Sequence, residues 1–163
     1  MQIRAVEPGD LCFLADMLCE AVAWRTGEAA AVRSHLGEPQ LARYLDGWGR
    51  PGDRGVVAID ESDRRVGAAW YRLFAHDDPG YGFVDDQTPE ITLAVEPSAR
   101  GKGLGEALMH ALVAAARQEG HRALSLSVEE ENVHALRIYT KLAFHRVGRE
   151  DDAWTMLYRV LRG

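Results

Sequence analysis

The chain has 163 residues, 47% hydrophobic and 27% charged, which suits one globular domain over residues 1–163 with a single sizeable core. Its formal net charge of −6 runs against a general nucleic-acid binder and suits a cationic partner such as an amine. No apolar run approaches the roughly 20 residues of a membrane span, and the opening Met1-Gln2-Ile3-Arg4 lacks the apolar core of a signal peptide, so a cytoplasmic location is expected.

Residues 3–6 read as a first strand. Pro8-Gly9-Asp10 turns into a helix over 11–24 with Leu11, Leu14, Ala15, Leu18 and Val22 on one face. The two cysteines, Cys12 and Cys19, fall seven apart on this helix. Their Cα atoms would be ~10 Å apart, too far for a disulfide, so they read as two core residues sharing a face in a reducing compartment. A helical stretch over 28–48 is broken at Gly37-Glu38-Pro39. Strands over 55–59 and 66–74 form a hairpin around Asp60-Glu61-Ser62-Asp63. The loop over 75–89 is longer than a connection needs, and loops of that length are often functional.

The second half alternates strand and helix. A strand over 90–95 leads to a helix over 103–119 closed by Gly120. A strand over 123–128 alternates Leu124, Leu126 and Val128 with serines, and a helix over 132–142 precedes closing strands over 144–148 and 154–161. Strand–helix–strand implies a parallel pair and the meander before it antiparallel pairs, so the sheet is expected to be mixed.

The junction Val95-Glu96-Pro97-Ser98-Ala99-Arg100-Gly101-Lys102-Gly103-Leu104-Gly105 joins the strand over 90–95 to a helix. Its three glycines let backbone N–H groups turn inward beside a helix N-terminus, and Arg100 and Lys102 add cationic charge. The chemistry expected is capture of a pyrophosphate; a tight turn alone would seldom call for three glycines and two basic residues. A Walker loop is excluded, because Gly101-Lys102 is followed by Gly103 and not by Ser or Thr. A dinucleotide fingerprint is excluded because its third glycine position falls on Glu106 or Leu108. The six histidines show no metal-ligand spacing, so no metal is expected, and no Gly-x-Ser-x-Gly elbow supports hydrolase chemistry.

Arg100-x-x-Gly103-x-Gly105 after a strand resembles the coenzyme A signature of the GNAT superfamily of N-acetyltransferases. Ser127-Val128-Glu129-Glu130-Glu131-Asn132 followed by Ala135, Tyr139, Leu142 and Phe144 is similar to that family's strand–Asn–helix–Tyr segment. The resemblance covers nearly the whole chain and is sharpest over 90–144. It implies an α/β (α+β) fold: a mostly antiparallel sheet of about seven strands with a splayed parallel pair, flanked by about four helices. It further implies direct transfer of an acetyl group from the cosubstrate acetyl-CoA to a primary amine of a small molecule or peptide, with a homodimer as the assembly. A module that binds coenzyme A without turnover and an acyltransferase for longer acyl groups are the rival readings.

By that resemblance the backbone of Leu93, Ala94 and Val95 bonds the pantetheine arm, and Arg100, Gly101, Lys102, Gly103, Leu104 and Gly105 hold the pyrophosphate. Asn132 is a helix N-cap, a coenzyme contact, or both. Tyr139 either packs with Ala135, Ile138 and Leu142 or protonates the departing thiolate, whose pKa should be near the ~8.5 of a cysteine. Glu90 is either an ordinary strand-end carboxylate or the base, acting directly or through water, with Asp85 and Asp86 as weaker alternatives. Trp24, Trp70, Tyr81 and Phe83 either wall the acceptor pocket or serve as core and surface aromatics. Ala143 stands where the family usually has Gly before the Phe, and a left-handed residue there would cost Ala roughly 1 kcal/mol.

Overall fold

The computed structural model describes residues 1–160. In chain order the elements are β1 (Gln2–Ala5), α1 (Leu11–Val22), α2 (Ala29–Arg33), α3 (Pro39–Ala42), β2 (Arg54–Ile59), β3 (Arg65–Arg72), β4 (Glu90–Val95), α4 (Leu104–Gln118), β5 (Ala123–Glu129), α5 (Val133–Lys141), β6 (His145–Glu150) and β7 (Ala153–Arg159). The strands form a seven-stranded sheet in the order β1-β2-β3-β4-β5-β7-β6. Every neighbouring pair is antiparallel except β4 and β5. Among the described residues no helix is long and apolar enough to cross a membrane.

Expected and observed elements differ at a few ends. The broken stretch over 28–48 is two short helices, with Pro39 as the first residue of α3, so the described residues hold five α-helices where about four were expected. The last strand was expected to run to Leu161; β7 ends at Arg159, and Leu161 lies outside the described residues. The packed stripe of α1 is also narrower than expected. Leu14, Met17 and Leu18 are buried, whereas Leu11 and Val22 at the helix ends are exposed.

The two cysteines do not share a burial state: Cys19 is buried and Cys12 exposed. Both lie about 130° round the helix from the Leu14–Leu18 stripe. α1 packs on α2 as well as on the sheet, and α2 follows its C-terminal end, so Cys19 in that half is covered and Cys12 in the first turn is not.

The sheet has an apolar layer on each face. On one, Leu14, Met17 and Leu18 of α1 meet Val57, Ala68, Trp70 and Ala94; on the other, Leu104, Leu108 and Leu112 of α4 meet Val56, Ile91, Leu124 and Leu126. The strict alternation of β5 follows from this. Its leucines point to α4, so Ser125 and Ser127 point to the α1 face.

β4 and β5 touch at one registered pair, Glu90 with Ser125, where the Ser125 N–H donates to Pro89 O at 2.9 Å. Beyond it no further β4–β5 pair forms among the described residues, whereas β5 and β7 pair over seven positions. Beyond the Glu90–Ser125 pair, β4 and β5 part and leave a gap in the ladder.

Helix α5 ends in a Schellman motif. Phe144 N–H donates to Tyr139 O at 2.9 Å and Ala143 N–H to Thr140 O at 3.0 Å, with Ala143 left-handed at φ 73°. Its usual apolar contact is present as Tyr139 against Phe144, ring centroids 5.9 Å apart. The cap thus seats Tyr139, at the expense of a non-glycine residue in the left-handed region. Ala143→Gly should therefore raise stability by about 0.5–1 kcal/mol in denaturant unfolding, without altering the native near-UV spectrum. A destabilised variant would show that the local backbone is not held left-handed.

Candidate functional site

Antiparallel ladders alternate between bonded and non-bonded pairs. Glu96 N–H donates to Val66 O at 2.9 Å, which makes 66/96, 68/94, 70/92 and 72/90 the bonded pairs of β3 and β4. The backbone of Ala94 is accordingly turned into the β3 ladder, while the groups of Leu93 and Val95 point into the gap. Val95 O is already taken by Arg100 Nε at 3.0 Å, which leaves both polar groups of Leu93 and the Val95 N–H facing the gap. An extended arm laid in the gap would complete the ladder that β5 leaves open.

The junction after β4 passes through a single 3₁₀ turn, Pro97–Ala99, and reaches α4 with Gly101 at φ 79° and Gly103, the N-cap, at φ 77°. Only glycine adopts these angles without strain. A Cβ at either position would meet nothing within 4 Å, so open space lies before the free amides of a fifteen-residue helix. Gly105 is packed instead, its missing Cβ 3.5 Å from Ile138 and 3.7 Å from Leu93. The Arg100 fork is turned back onto Val95 O and Glu20, leaving the exposed Lys102 and the amides as the anion attractants. Leu104 is buried against the sheet and holds the helix start in place. The cradle fits a pyrophosphate by shape and by partial charge.

Asn132 is the N-cap of α5, its Oδ1 accepting from Ala135 N–H at 3.3 Å, which leaves its side-chain NH₂ for another partner. Tyr139 is buried between α5 and the sheet, and burial holds its phenol above the ordinary tyrosine range. It therefore stays protonated and is a donor at neutral pH.

Glu90 lies on the other face. It is 3% exposed, and both carboxylate oxygens are held: Oε2 accepts from the Tyr44 hydroxyl at 2.5 Å and Oε1 from Gly82 N–H at 3.0 Å. Burial raises its pKa to about 7, against the opposing pull of these two hydrogen bonds and of the Arg43 charge. A carboxylate has about four acceptor sites, so two remain for a further donor. This acid is poised to take up or release a proton near neutral pH.

The long loop over 75–89 closes this face. A Cβ on Gly80 would collide with the Glu90 carboxylate and lie 2.9 Å from the Tyr44 hydroxyl; one on Gly82 would lie 2.5 Å from the Leu126 carbonyl carbon. The loop backbone thus rests directly on β5 and on Glu90, which explains both the Gly-x-Gly spacing and the small serines beneath it.

The proposed wall residues are dispersed. Tyr81 is 56% exposed and stacks on Tyr44 at 6.4 Å, and its N–H donates to the Tyr44 hydroxyl at 2.9 Å. Phe83 stacks on His76 and packs on the α1-side core. Trp70 is fully buried, with Nε1 donating to Tyr44 O at 3.2 Å. Trp24 carries the Arg25 guanidinium over its ring, and Arg25 bridges to Glu129 and Glu131 at the far end of β5. Asp85 accepts from Gln87 N–H and lines a groove with His121 and Arg122 at the start of β5, and Asp86 is exposed.

Three participants have no motif to announce them: Tyr44, Gly80 and Gly82. The Gly-Tyr-Gly spacing is the local signal of the two glycines, and Tyr44 has none.

Residues 19–144 match the profile of the Acetyltransferase (GNAT) family. A mycothiol acetyltransferase from Actinosynnema mirum is 30% identical over 146 residues, covering 88% of this chain and 44% of that protein. The chain thus spans under half the length of that relative. The fold matches the PaiA N-acetyltransferase of Thermoplasma acidophilum, solved in complex with coenzyme A, with a TM-score of 0.71 at 14% identity over 98% of this chain and 99% of that one. It also matches a phosphinothricin acetyltransferase from Sinorhizobium meliloti in complex with acetyl-CoA, with a TM-score of 0.65 at 20% identity over 97% and 87%.

Gly103→Glu places a carboxylate and a strained Cβ where the amide cradle opens. Coenzyme A at ~100 times its dissociation constant should add ~2.7 kcal/mol to the unmodified chain and little to this variant, read as the ligand-induced thermal shift of each. An equal shift in both would move the anion site elsewhere.

Proposed function

Since the chain belongs to the GNAT acetyltransferase family and is an acyltransferase by that membership, we propose that it moves an acetyl group directly from acetyl-CoA to a primary amine. The observation that carries this reading is the gap between β4 and β5. A glycine-lined anion cradle and a buried phenol lie on one face of the sheet there, and a buried carboxylate with a pKa of about 7 lies on the other.

The amides from Gly101 to Gly105 would hold the pyrophosphate, and Leu93 with the Val95 N–H would align the pantetheine arm along β4. Acetyl-CoA supplies the thioester. An amine is mostly protonated at neutral pH and attacks only once its lone pair is free. Glu90, ionised, takes the proton from the ammonium and frees the lone pair that forms the new C–N bond; the nitrogen's second proton passes to solvent as the tetrahedral adduct collapses. The C–S bond then breaks, and Tyr139 donates to the departing thiolate, whose pKa should be near ~8.5. Placing the acid and the base on opposite faces of the sheet keeps the two proton transfers from short-circuiting. The acceptor is a small-molecule or peptide amine, and the net charge of −6 favours a cationic one.

Two kinetic outcomes follow. A carboxyl with a pKa of about 7 is half ionised at that pH, so kcat/KM should rise through neutrality as the base form is populated. Glu90→Gln should abolish that limb and leave the largest deficit above it, where the normal enzyme is fully active. A deficit of the same size at every pH would make Glu90 a binding residue. Tyr139→Phe keeps the ring in its cap and removes only the hydroxyl. It should slow turnover ~100-fold in a thiol-release assay while preserving the coenzyme-induced thermal shift. Turnover at the normal rate would leave Tyr139 as packing alone.

A further inference from the structure

The segment that delivers Tyr44 has almost no regular structure of its own. Tyr44 follows the four-residue α3, yet it is only 5% exposed and its ring is fixed edge-on against Phe74 at 5.2 Å. Its backbone is held from beneath by β3. Arg72 Nη1 donates to the carbonyls of Arg43 at 3.0 Å and Asp46 at 2.8 Å, so Tyr44 lies between the two anchored residues. Trp70 Nε1 donates to the Tyr44 carbonyl itself. Arg72 is in turn locked by a two-pronged pair to Asp53, Nε to Oδ1 at 2.9 Å and Nη2 to Oδ2 at 2.8 Å.

Arg72 is also the register partner of Glu90 across β3 and β4, so the two side chains stand side by side on one face. The guanidinium nonetheless spends its donors on Asp53 and the two carbonyls. What reaches Glu90 is the phenol that Arg72 helps to hold.

We infer that Tyr44 is the positioning residue of this site: its phenol, fastened through Arg72 and Trp70, fixes the Glu90 carboxyl beside the gap and favours its proton-accepting form. The inference rests on Glu90 being the base. The Tyr44 hydroxyl is donor to Glu90 and acceptor from Tyr81 N–H, so one atom couples the carboxylate to the loop that covers it. Burial beside a carboxylate keeps this phenol well above its ordinary range, so it stays protonated and donates toward Glu90.

The other groups around Glu90 do not substitute for Tyr44. The loop over 75–89 offers the Gly82 N–H, which no side-chain change removes. From β5, Ser125 at the register position has a buried Oγ with no partner among the described residues. The Arg43 charge acts at a distance while its own guanidinium bonds Pro79 O and approaches Asp78. α1 presents Leu14, Met17 and Leu18 to this layer. A neutral hydrogen-bond donor to a buried carboxylate favours its charged form, so losing the donor should leave the carboxyl harder to ionise.

The test is Tyr44→Phe with the Glu90 carboxyl titrated directly by carbon-13 NMR, its resonance assigned by its loss in Glu90→Gln. The midpoint should move up by about one unit from its normal position, and kcat/KM should fall about tenfold below neutrality and recover as pH rises, with KM for acetyl-CoA unchanged. An unmoved midpoint overturns the inference, and so does a rate loss equal at all pH values. A midpoint that moves while the rate profile stays put upholds the Tyr44 contact and overturns Glu90 as the base. Should Tyr44→Phe fail to fold, the unmutated chain grown with 3-fluorotyrosine replaces it. A more acidic phenol donates more strongly, so the Glu90 midpoint should move down, and no movement overturns the inference.

Discussion

Arg72 sits in the last position of β3 with no exposure, its charge met by an Asp53 carboxylate that is itself 2% exposed. Burying such a pair is costly unless every donor finds an acceptor, and removing one partner typically costs about 3–5 kcal/mol. Here both prongs go to Asp53, the remaining terminal nitrogen goes to two main-chain carbonyls, and the Trp48 ring lies 5.5 Å from the guanidinium. The consequence reaches beyond stability. The stretch between α3 and β2 is a run of hydrogen-bonded turns with no strand or long helix of its own, and this cation is one of the groups that tie it to the sheet beside Glu90. The covering loop is then tied to Tyr44, so the arrangement around Glu90 leans on this buried ion pair together with Trp70 Nε1, which donates to the Tyr44 carbonyl.

The second constraint is the divergence of β4 and β5. A parallel pair that stays together would satisfy its own backbone and close the sheet. By parting after Glu90 and Ser125, the strands leave the polar groups of Leu93 without a partner on β5. The fold tolerates this because each strand is fully paired on its other side, β4 with β3 and β5 with β7. The incomplete ladder in the middle of the sheet has the α4 amides on one face and Glu90 on the other, which is what the proposed reading of it as a ligand slot rests on.

Strain and close packing are concentrated in the same places. Gly101 and Gly103 are left-handed with empty space before them, as a loop that receives a ligand requires. Gly80 and Gly82 are glycine for the opposite reason, since no side chain fits between that loop and Glu90 or β5. Ala143 accepts left-handed geometry to complete the cap that seats Tyr139 against Phe144. The raised pKa of Glu90 belongs with these, since a carboxylate removed from water favours its protonated form at some expense to the stability of the ionised state.

Local pattern determined much of this protein. The period of β5, the caps Asn132 and Gly120, and the glycines from Gly101 to Gly105 act over a few residues, and each names its own structure in the sequence. The mixed character of the sheet followed from alternating strands and helices, and the left-handed Ala143 from its place after a helix. The insertion of β7 between β5 and β6 did not show in the pattern. Tertiary structure decided what depends on contacts distant in sequence. Tyr44 meets Glu90 across 46 residues and Arg72 meets Asp46 across 26, and neither approach leaves a periodic trace. The exposure of Cys12 beside the burial of Cys19 depends on where α2 falls, and spacing along α1 is blind to it. The proton affinity of Glu90 is likewise a property of the layer that encloses it, because desolvation is set by what covers a group and not by its neighbours in the chain.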